Sequence, residues 1–241
     1  MDCTFDNNTW NISDAGVERL MRTTLERILL GRVQPVITII GFILNITFLY
    51  VVFKSKEMRT ITNVYLSNLA IADTVFLVYT GTASFAEYMW SPIKSNVSFY
   101  RKGGNLGCAM HQVVNFTMYY TSLFLVAIVT FERYLAICHP LIHRRIASKS
   151  RTRNLSGGCW FLATLCGVFM IWIKGRYSES CYRWSSKYSY ISNLFGICSG
   201  YVIFGNFPWK AHYILECGTF VVILCGKMYL FFCLNINPCF R

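Results

Sequence analysis

One acidic side chain, Asp73, is the only charged residue in the largely apolar segment 64–85. Ionisable residues inside such segments are costly to bury, and they usually bind an ion, relay a proton or contact a ligand. The structural alternative is an aspartic acid that simply hydrogen-bonds to a neighbouring helix. The residue type and its position do not separate these two uses.

A charged cluster, Glu132-Arg133-Tyr134, directly follows a second uncharged segment, 113–131. An arginine in this position can act as an anchor whose guanidinium reaches the water at the end of an apolar helix. The tripeptide alone therefore indicates no particular activity. The sequence shows no CxxC metal pair, nucleophile motif or glycine-rich phosphate loop, so an enzyme is the least favoured class.

The segments that must position these residues are long and apolar. Of 241 residues, 54% are hydrophobic and 14% are charged, whereas a soluble domain carries about 25% charged residues. Crossing a bilayer takes roughly 20 apolar residues as a helix, which satisfies its own backbone hydrogen bonds. We therefore predict an all-α fold, a multi-span transmembrane helix bundle with spans at about 33–53, 62–86, 109–138 and 156–175.

A fifth span is harder to place. Residues 191–207 lack charge, whereas the longer apolar run at 213–236 contains Glu216 and Lys227. The fifth span is therefore predicted either within 208–236 or at 189–208. Both alternatives give a single domain, in which a helix bundle over 33–241 follows an N-terminal extracellular tail of residues 1–32.

Acceptor triplets for N-glycosylation indicate which side of the membrane the tail occupies. Three of them, at Asn7, Asn11 and Asn96, lie in segments that a single topology places outside. Basic residues cluster after the first span and again at 144–153, as expected of cytoplasmic loops. We predict a multi-pass plasma-membrane protein with its N-terminus outside. The net charge of +12 is assigned to such loops beside the lipid bilayer rather than to nucleic-acid binding.

A set of residues in fixed order resembles that of one family of membrane receptors. Its members are Asn45, Leu69-Ala70-Ile71-Ala72-Asp73, Cys108, Glu132-Arg133-Tyr134, Pro140, Leu141, Trp160 and Cys181. Cys108 precedes Arg133 by 25 residues, and a helix of that length spans about 37 Å, enough to cross a bilayer. Over residues 30–182 this set resembles the rhodopsin-like (class A) G-protein-coupled receptors. The resemblance implies a bundle of seven transmembrane helices that an extracellular ligand activates and that couples to heterotrimeric G proteins.

The resemblance assigns roles to residues outside the membrane and at its centre. Cys108 and Cys181 would both face the oxidising side and form the family's disulfide. Asp73, Ser122 and Asn45 would belong to a sodium-binding pocket that stabilises the inactive state. No other metal and no organic cofactor is implied.

The resemblance also assigns roles at the cytoplasmic end. Glu132 and Arg133, in the motif that Tyr134 completes, would form a local ion pair at rest. Activation would release Arg133 towards the G protein. Leu141, with Pro140 bending the chain before it, would present an apolar contact to the same partner.

The ligand class is indicated by a polar and aromatic segment before the charged motif. Asn115 stands 18 residues before Arg133, where monoamine receptors carry an aspartate, so an amine ligand is not expected. The pocket wall would include His111, Gln112, Asn115, Phe116, Tyr119 and Tyr120. Aromatic residues at this spacing can equally pack helices together. The stretches 63–68 and 131–141 look like those of neuropeptide receptors, which implies an extracellular peptide as the ligand.

The resemblance is incomplete towards the C-terminus. The family's sixth helix should carry a tryptophan-proline pair and its seventh an asparagine-proline motif, and neither is found in place before Arg241. We therefore expect a receptor chain truncated after about helix five. The alternatives are a non-signalling isoform or fragment that traps a full-length receptor, and a small multi-span transporter or channel, for which only Asp73 offers a clear polar path residue.

Overall fold

The computed structural model describes residues 9–94, 96–97 and 102–199. A short strand, β1 (Thr9–Asn11), and a short helix, α1 (Asp14–Leu20), come first. Helix α2 (Thr24–Ile28), one π turn (Leu29–Val33) and α3 (Gln34–Lys54) then form a continuous helical span, Thr24–Lys54. The later elements are α4 (Ile61–Trp90), α5 (Gly104–Cys138), α6 (Pro140–Ile146), α7 (Lys149–Lys174), β2 (Arg176–Arg183), a 3-10 turn (Ser186–Tyr188) and β3 (Leu194–Ser199).

Four helices in the described part, Thr24–Lys54, α4, α5 and α7, are long and apolar enough to cross a membrane. They contain the four predicted spans, apart from residue 175, and each begins before its predicted start. The first begins at Thr24 because Thr23 and Glu26 form a reciprocal capping box. Residues 24–32, which were predicted as part of the tail, therefore belong to the first helix.

Helix α5 is the centre of the bundle, because it packs against α4 on one side and α7 on the other. Tyr65 of α4, Leu125 of α5 and Cys159 of α7 meet in one buried cluster. Farther along α5 and α7, Gly167 of α7 allows the two helices to approach closely. A methyl group at this position would collide with the Thr117 hydroxyl and approach the Val113 carbonyl oxygen.

The first helix exposes most of its apolar side chains. Ile40, Ile43 and Leu44 are each more than half exposed. A soluble protein rarely presents such a continuous apolar surface. This surface suits contact with lipid chains, as the predicted membrane fold requires.

A second, smaller core lies at one end of the bundle. Val17 of α1 and Ile93 are fully buried there against Trp184, Tyr188 and Phe195. The three strands flank this core in the order β1-β2-β3, with β1 parallel and β3 antiparallel to β2. We call this unit the cap, and it comprises residues 9–23, 91–94, 96–97 and 176–199.

The cap changes two predictions. The segment 1–32 was predicted as a plain tail, whereas its described part forms β1, α1 and the start of the first membrane helix. The fifth span at 189–208 is wrong for residues 189–199, which form a turn and β3. Their lack of charge reflects a strand that buries Phe195 in the cap core. The other alternative, 208–236, lies outside the described residues.

Candidate functional site

In the middle of the bundle, Asp73 of α4 faces Ser122 of α5. The Ser122 hydroxyl donates a hydrogen bond to Asp73 Oδ1, with 2.5 Å between the two oxygens. The third predicted member, Asn45, instead donates from Nδ2 to the Gly41 carbonyl of its own helix at 2.8 Å. The structure therefore brings two of the three predicted residues together, and the pair joins α4 to α5.

The number of oxygen atoms that converge at Asp73 shows whether the described residues could hold a sodium ion. A hard cation such as Ca²⁺ takes about six to eight oxygen ligands, and the described contacts converge only on the oxygens of Asp73 and Ser122. An interhelical hydrogen bond is also what the purely structural alternative predicts. The described residues do not by themselves complete a cation site, and sodium binding stays a prediction.

The six predicted pocket residues divide between two faces of α5. His111, Asn115 and Tyr119 recur at four-residue spacing and lie on the face towards α4. The Thr80 hydroxyl donates to Asn115 Oδ1 at 2.8 Å, and the Tyr79 ring lies 5.6 Å from that of His111. This face therefore offers a mixed polar and aromatic surface near the cap.

The other three, Gln112, Phe116 and Tyr120, lie on the face towards α7 and are buried. The rings of Phe116 and Tyr120 pack against Ala163 and Met170 of α7. Both aromatic side chains therefore pack the two helices together, which is the alternative to lining a ligand pocket. The pocket surface is narrower than predicted, because one face of α5 is already covered by α7.

The disulfide at the cap end of α5 joins Cys108 to Cys198, with the Cα atoms 5.7 Å apart. The predicted pairing of Cys108 with Cys181 is wrong, although Cys181 is disulfide-bonded as well. The antiparallel pair β2–β3 explains why Cys108 is bonded to Cys198. Cys198 lies opposite Tyr177, whose N–H donates to Asn105 Oδ1 in the first turn of α5. Cys181 lies four residues farther along β2, roughly 13 Å away, and that is too far for a disulfide to Cys108.

Ion pairs fasten the cap to itself and to the bundle. The Arg22 guanidinium is buried and lies 2.7 Å from the Glu87 carboxylate near the end of α4. The Tyr188 hydroxyl donates to Glu18 Oε1 at 3.1 Å, and the Lys187 ammonium lies 3.6 Å from the same carboxylate. The neighbouring Tyr188 and Glu18 raise the pKa of Lys187. The two contacts of Glu18 join α1 to the turn between β2 and β3, and the Arg22–Glu87 pair joins the cap to α4.

One predicted glycosylation site, Asn96, lies inside the cap and is only 1% exposed. Its Nδ2 donates to the Leu194 carbonyl at 3.3 Å, and its Oδ1 accepts from the Gly196 N–H at 3.1 Å. A glycan on Nδ2 would displace these contacts and has no room in the folded cap. The burial of Asn96 therefore speaks against glycosylation there, which stays a prediction, whereas Asn11 is exposed on β1 and Asn7 lies outside the described residues.

At the opposite end of α5, Glu132 is buried, with its side chain 9% exposed. Oε1 lies 2.8 Å from the Arg151 guanidinium of α7, and Oε2 lies 3.4 Å from Nε2 of His143 in α6. Among the described ion pairs, none joins Glu132 to Arg133. The predicted resting pair is wrong because adjacent residues of a helix project roughly 100° apart, and Arg133 is exposed.

The short helix α6 presents an apolar side chain at this same end. Pro140 begins the helix, a position where its fixed φ fits and its missing N–H costs nothing. The next residue, Leu141, is 82% exposed. Tyr134 of the charged motif lies with its hydroxyl 3.5 Å from His139 Nε2, just before α6. An exposed cation, Arg133, and an exposed apolar side chain therefore share one end of the bundle.

Helix α7 is tied to α4 by a further residue of the resemblance set, because Trp160 Nε1 donates to Asn68 Oδ1 at 3.1 Å. The set thus connects α4, α5 and α7 through direct contacts. A family model described as "7 transmembrane receptor (rhodopsin family)" matches residues 44–236. The chain belongs to this rhodopsin family of receptors. As a family member it is a partial seven-helix bundle, of which the described residues supply four candidate spans.

Three relatives show the extent of the similarity. The thyrotropin-releasing hormone receptor of Gallus gallus is 34% identical over 133 residues, 55% of this chain and 31% of the relative. The substance-P receptor of Mus musculus is 26% identical over 169 residues (70% and 36%), and somatostatin receptor type 3 of Homo sapiens is 28% identical over 159 residues (66% and 34%). The receptor chain thus spans about a third of the length of these curated relatives. They are receptors, and the chain is not an enzyme.

Two residues of the Glu132 site, Arg151 and His143, were missed by the sequence prediction. Arg151 lies in the basic run 144–153, which reads as a solvated or lipid-facing loop. One signal could have found it, because Glu132 is the only acidic residue between Glu87 and Glu179. A lone carboxylate at the end of an apolar helix needs a cationic partner, and after the adjacent Arg133 the basic run was the nearest source.

Proposed function

We propose that this rhodopsin-family chain binds a neuropeptide outside the cell and passes the signal to a heterotrimeric G protein at the plasma membrane. The observation that carries the proposal is the end of the bundle where Arg133 and Leu141 are both exposed. A guanidinium offers several donors to a protein partner. An exposed leucine beside it offers an apolar anchor for the centre of an interface.

A peptide is the favoured ligand class. The relatives are named as receptors for thyrotropin-releasing hormone, substance P and somatostatin. These relatives are peptide-hormone receptors. At Asn115 the chain carries a neutral amide bound to the Thr80 hydroxyl, and so offers no carboxylate to a ligand amine there. The cap exposes Arg176, Arg183 and Lys187. A peptide with acidic or amidated ends complements this charge better than a cationic one.

The path from ligand to G protein runs along α5. Its cap end carries Cys108 and the α4-facing surface of His111 and Asn115, and its other end carries Glu132 and Arg133. The Asp73–Ser122 hydrogen bond lies between these ends and joins α5 to α4. A ligand that binds one arrangement of α4 and α5 better than another shifts the population towards it. The orientation, with the cap outside and Arg133 in the cytosol, is part of the proposal.

The test is nucleotide exchange on heterotrimeric G proteins in membranes that contain this chain, with a panel of neuropeptides. The C-terminal part of a thyrotropin-releasing hormone receptor is co-expressed, because the chain spans about a third of such relatives. We expect a saturable response to at least one peptide. Arg133→Ala should lower the response at least about tenfold, equivalent to about 1.4 kcal/mol. Arg153→Ala, a control at another exposed basic residue, should leave it unchanged. A response that survives Arg133→Ala, or no response to any peptide, contradicts the proposal.

A further inference from the structure

Three elements meet around one carboxylate at the Glu132 end of the receptor bundle. Glu132 of α5 has its Oε1 2.8 Å from Arg151 of α7 and its Oε2 3.4 Å from His143 of α6. The three side chains are unequally buried, with 9% exposure for Glu132, 30% for Arg151 and 27% for His143. The acid is therefore the desolvated partner, and both bases reach it from the surface.

We propose that Arg151 is the positioning residue of this end, holding Glu132 in place of Arg133 and thereby joining α5 to α7. Arg133 is then left exposed and available to a partner, while His143 of α6 lies 3.4 Å from the second Glu132 oxygen. The proposal rests on the proposed function only in identifying this end as the one that meets the G protein. The contact itself can be tested without ligand or G protein.

Arg151 is important because its charge compensates that of the buried Glu132 carboxylate. The two Glu132 oxygens are buried and make no aligned hydrogen bond in the described part of the chain, so the Arg151 contact is an ion pair held by charge. Removing one partner of a buried pair leaves an uncompensated charge, whereas removing both is often nearly neutral. Loss of Arg151 should therefore be costly, and subsequent loss of Glu132 should repair it.

The ion pair continues an apolar seam between α5 and α7. Ile128 lies one turn before Glu132, and Leu155 lies one turn after Arg151, and both pack against the buried Tyr65 cluster. The backbone at Arg151 is held independently, because its N–H donates to the Ser148 hydroxyl that caps α7. A substitution at Arg151 therefore removes the side-chain contact while the helix start stays anchored.

Nearby residues supply matched controls. Arg153 lies two residues later in α7, and Arg133 lies next to Glu132 in α5. Both are exposed, and neither forms an ion pair among the described residues. If general positive charge near this end were what matters, either control would behave like Arg151.

The experiment uses the full 241-residue chain in lipid nanodiscs, with the melting temperature followed by intrinsic fluorescence. Arg151→Gln should lower Tm by roughly 6–20 °C, as expected for breaking a buried ion pair in a chain of this size. Glu132→Gln should cost less, because the orphaned Arg151 reaches water. The double variant Glu132→Gln/Arg151→Gln should recover at least half of the loss. Arg153→Gln and Arg133→Gln should each stay within about 1 °C of the parent.

A second readout reports on positioning rather than on overall stability. Hydrogen exchange over residues 140–155 should rise in Arg151→Gln and return towards the parent rate in Arg151→Lys, which keeps the charge. If Arg151→Gln cannot be purified, recovery of folded protein in the double variant supports the proposal, and its failure contradicts it. An Arg151→Gln Tm equal to that of Arg153→Gln, or no recovery by Glu132→Gln, overturns it. Neither readout depends on signalling, so a failed exchange assay leaves this result unaffected.

Discussion

Asn96 stabilises the cap through its own side chain. Its amide links the loop after α4 to β3, through the Leu194 carbonyl and the Gly196 N–H. We predict that Asn96→Gln weakens the cap by about 1–3 kcal/mol, because buried groups lose their partners, and that glycosidase-sensitive gel mobility does not change. Asn11→Gln should reduce the mobility shift, since Asn11 is exposed on β1.

The two measurements are thermal unfolding and gel mobility with and without glycosidase. Asn11→Gln serves as the control for the first, because an exposed position should alter Tm little. A mobility shift that shrinks in Asn96→Gln would show that this residue carries a glycan and is not buried as described.

At the scale of residues, the sequence predicted which residues form the sites better than it predicted which residues they contact. Ser122 meets Asp73, two residues that the resemblance placed in one pocket. Glu132 was assigned to its chain neighbour, Arg133. Its true partner, Arg151, lies on another helix, and no spacing within one helix could have indicated it.

At the scale of elements, the disulfide anchors the β2–β3 hairpin to α5 through Cys108 and Cys198. We predict that Cys108→Ser or Cys198→Ser costs roughly 2–5 kcal/mol of stability and lowers surface expression. Cys181→Ser should leave the Cys108–Cys198 bond intact. Mass spectrometry of non-reduced digests checks this directly, and a peptide joining Cys108 to Cys181 would refute the pairing.

The four membrane helices could be predicted because long uncharged segments leave few alternatives. The hairpin could not, because residues 191–207 are uncharged for a different reason. Part of this run forms β3, which buries Phe195 in the cap. Composition alone cannot distinguish such a strand from a membrane helix when the run is short. The choice of Cys198 over Cys181 depends on the register of the β2–β3 hairpin. Because the hairpin was not predicted, this pairing could not be predicted either.

At the scale of the whole molecule, the chain has two unlike ends separated by the length of α5. The cap closes one end with a disulfide, ion pairs and a small apolar core. The other end exposes Arg133 and Leu141 around the Glu132–Arg151 pair. Under the proposed function, the cap end is the ligand side and the Arg133 end is the side that meets the G protein.

The most direct test of this account is the sidedness of the two ends. One epitope is placed at the N-terminus and another in the exposed loop 55–60, which lies at the Arg133 end of the bundle and tolerates insertion as loops do. Antibody staining of cells expressing the tagged chain is compared before and after permeabilisation. We predict that the N-terminal epitope stains intact cells and that the loop epitope stains only permeabilised cells. Staining of the loop epitope on intact cells would place Arg133 outside and contradict the account.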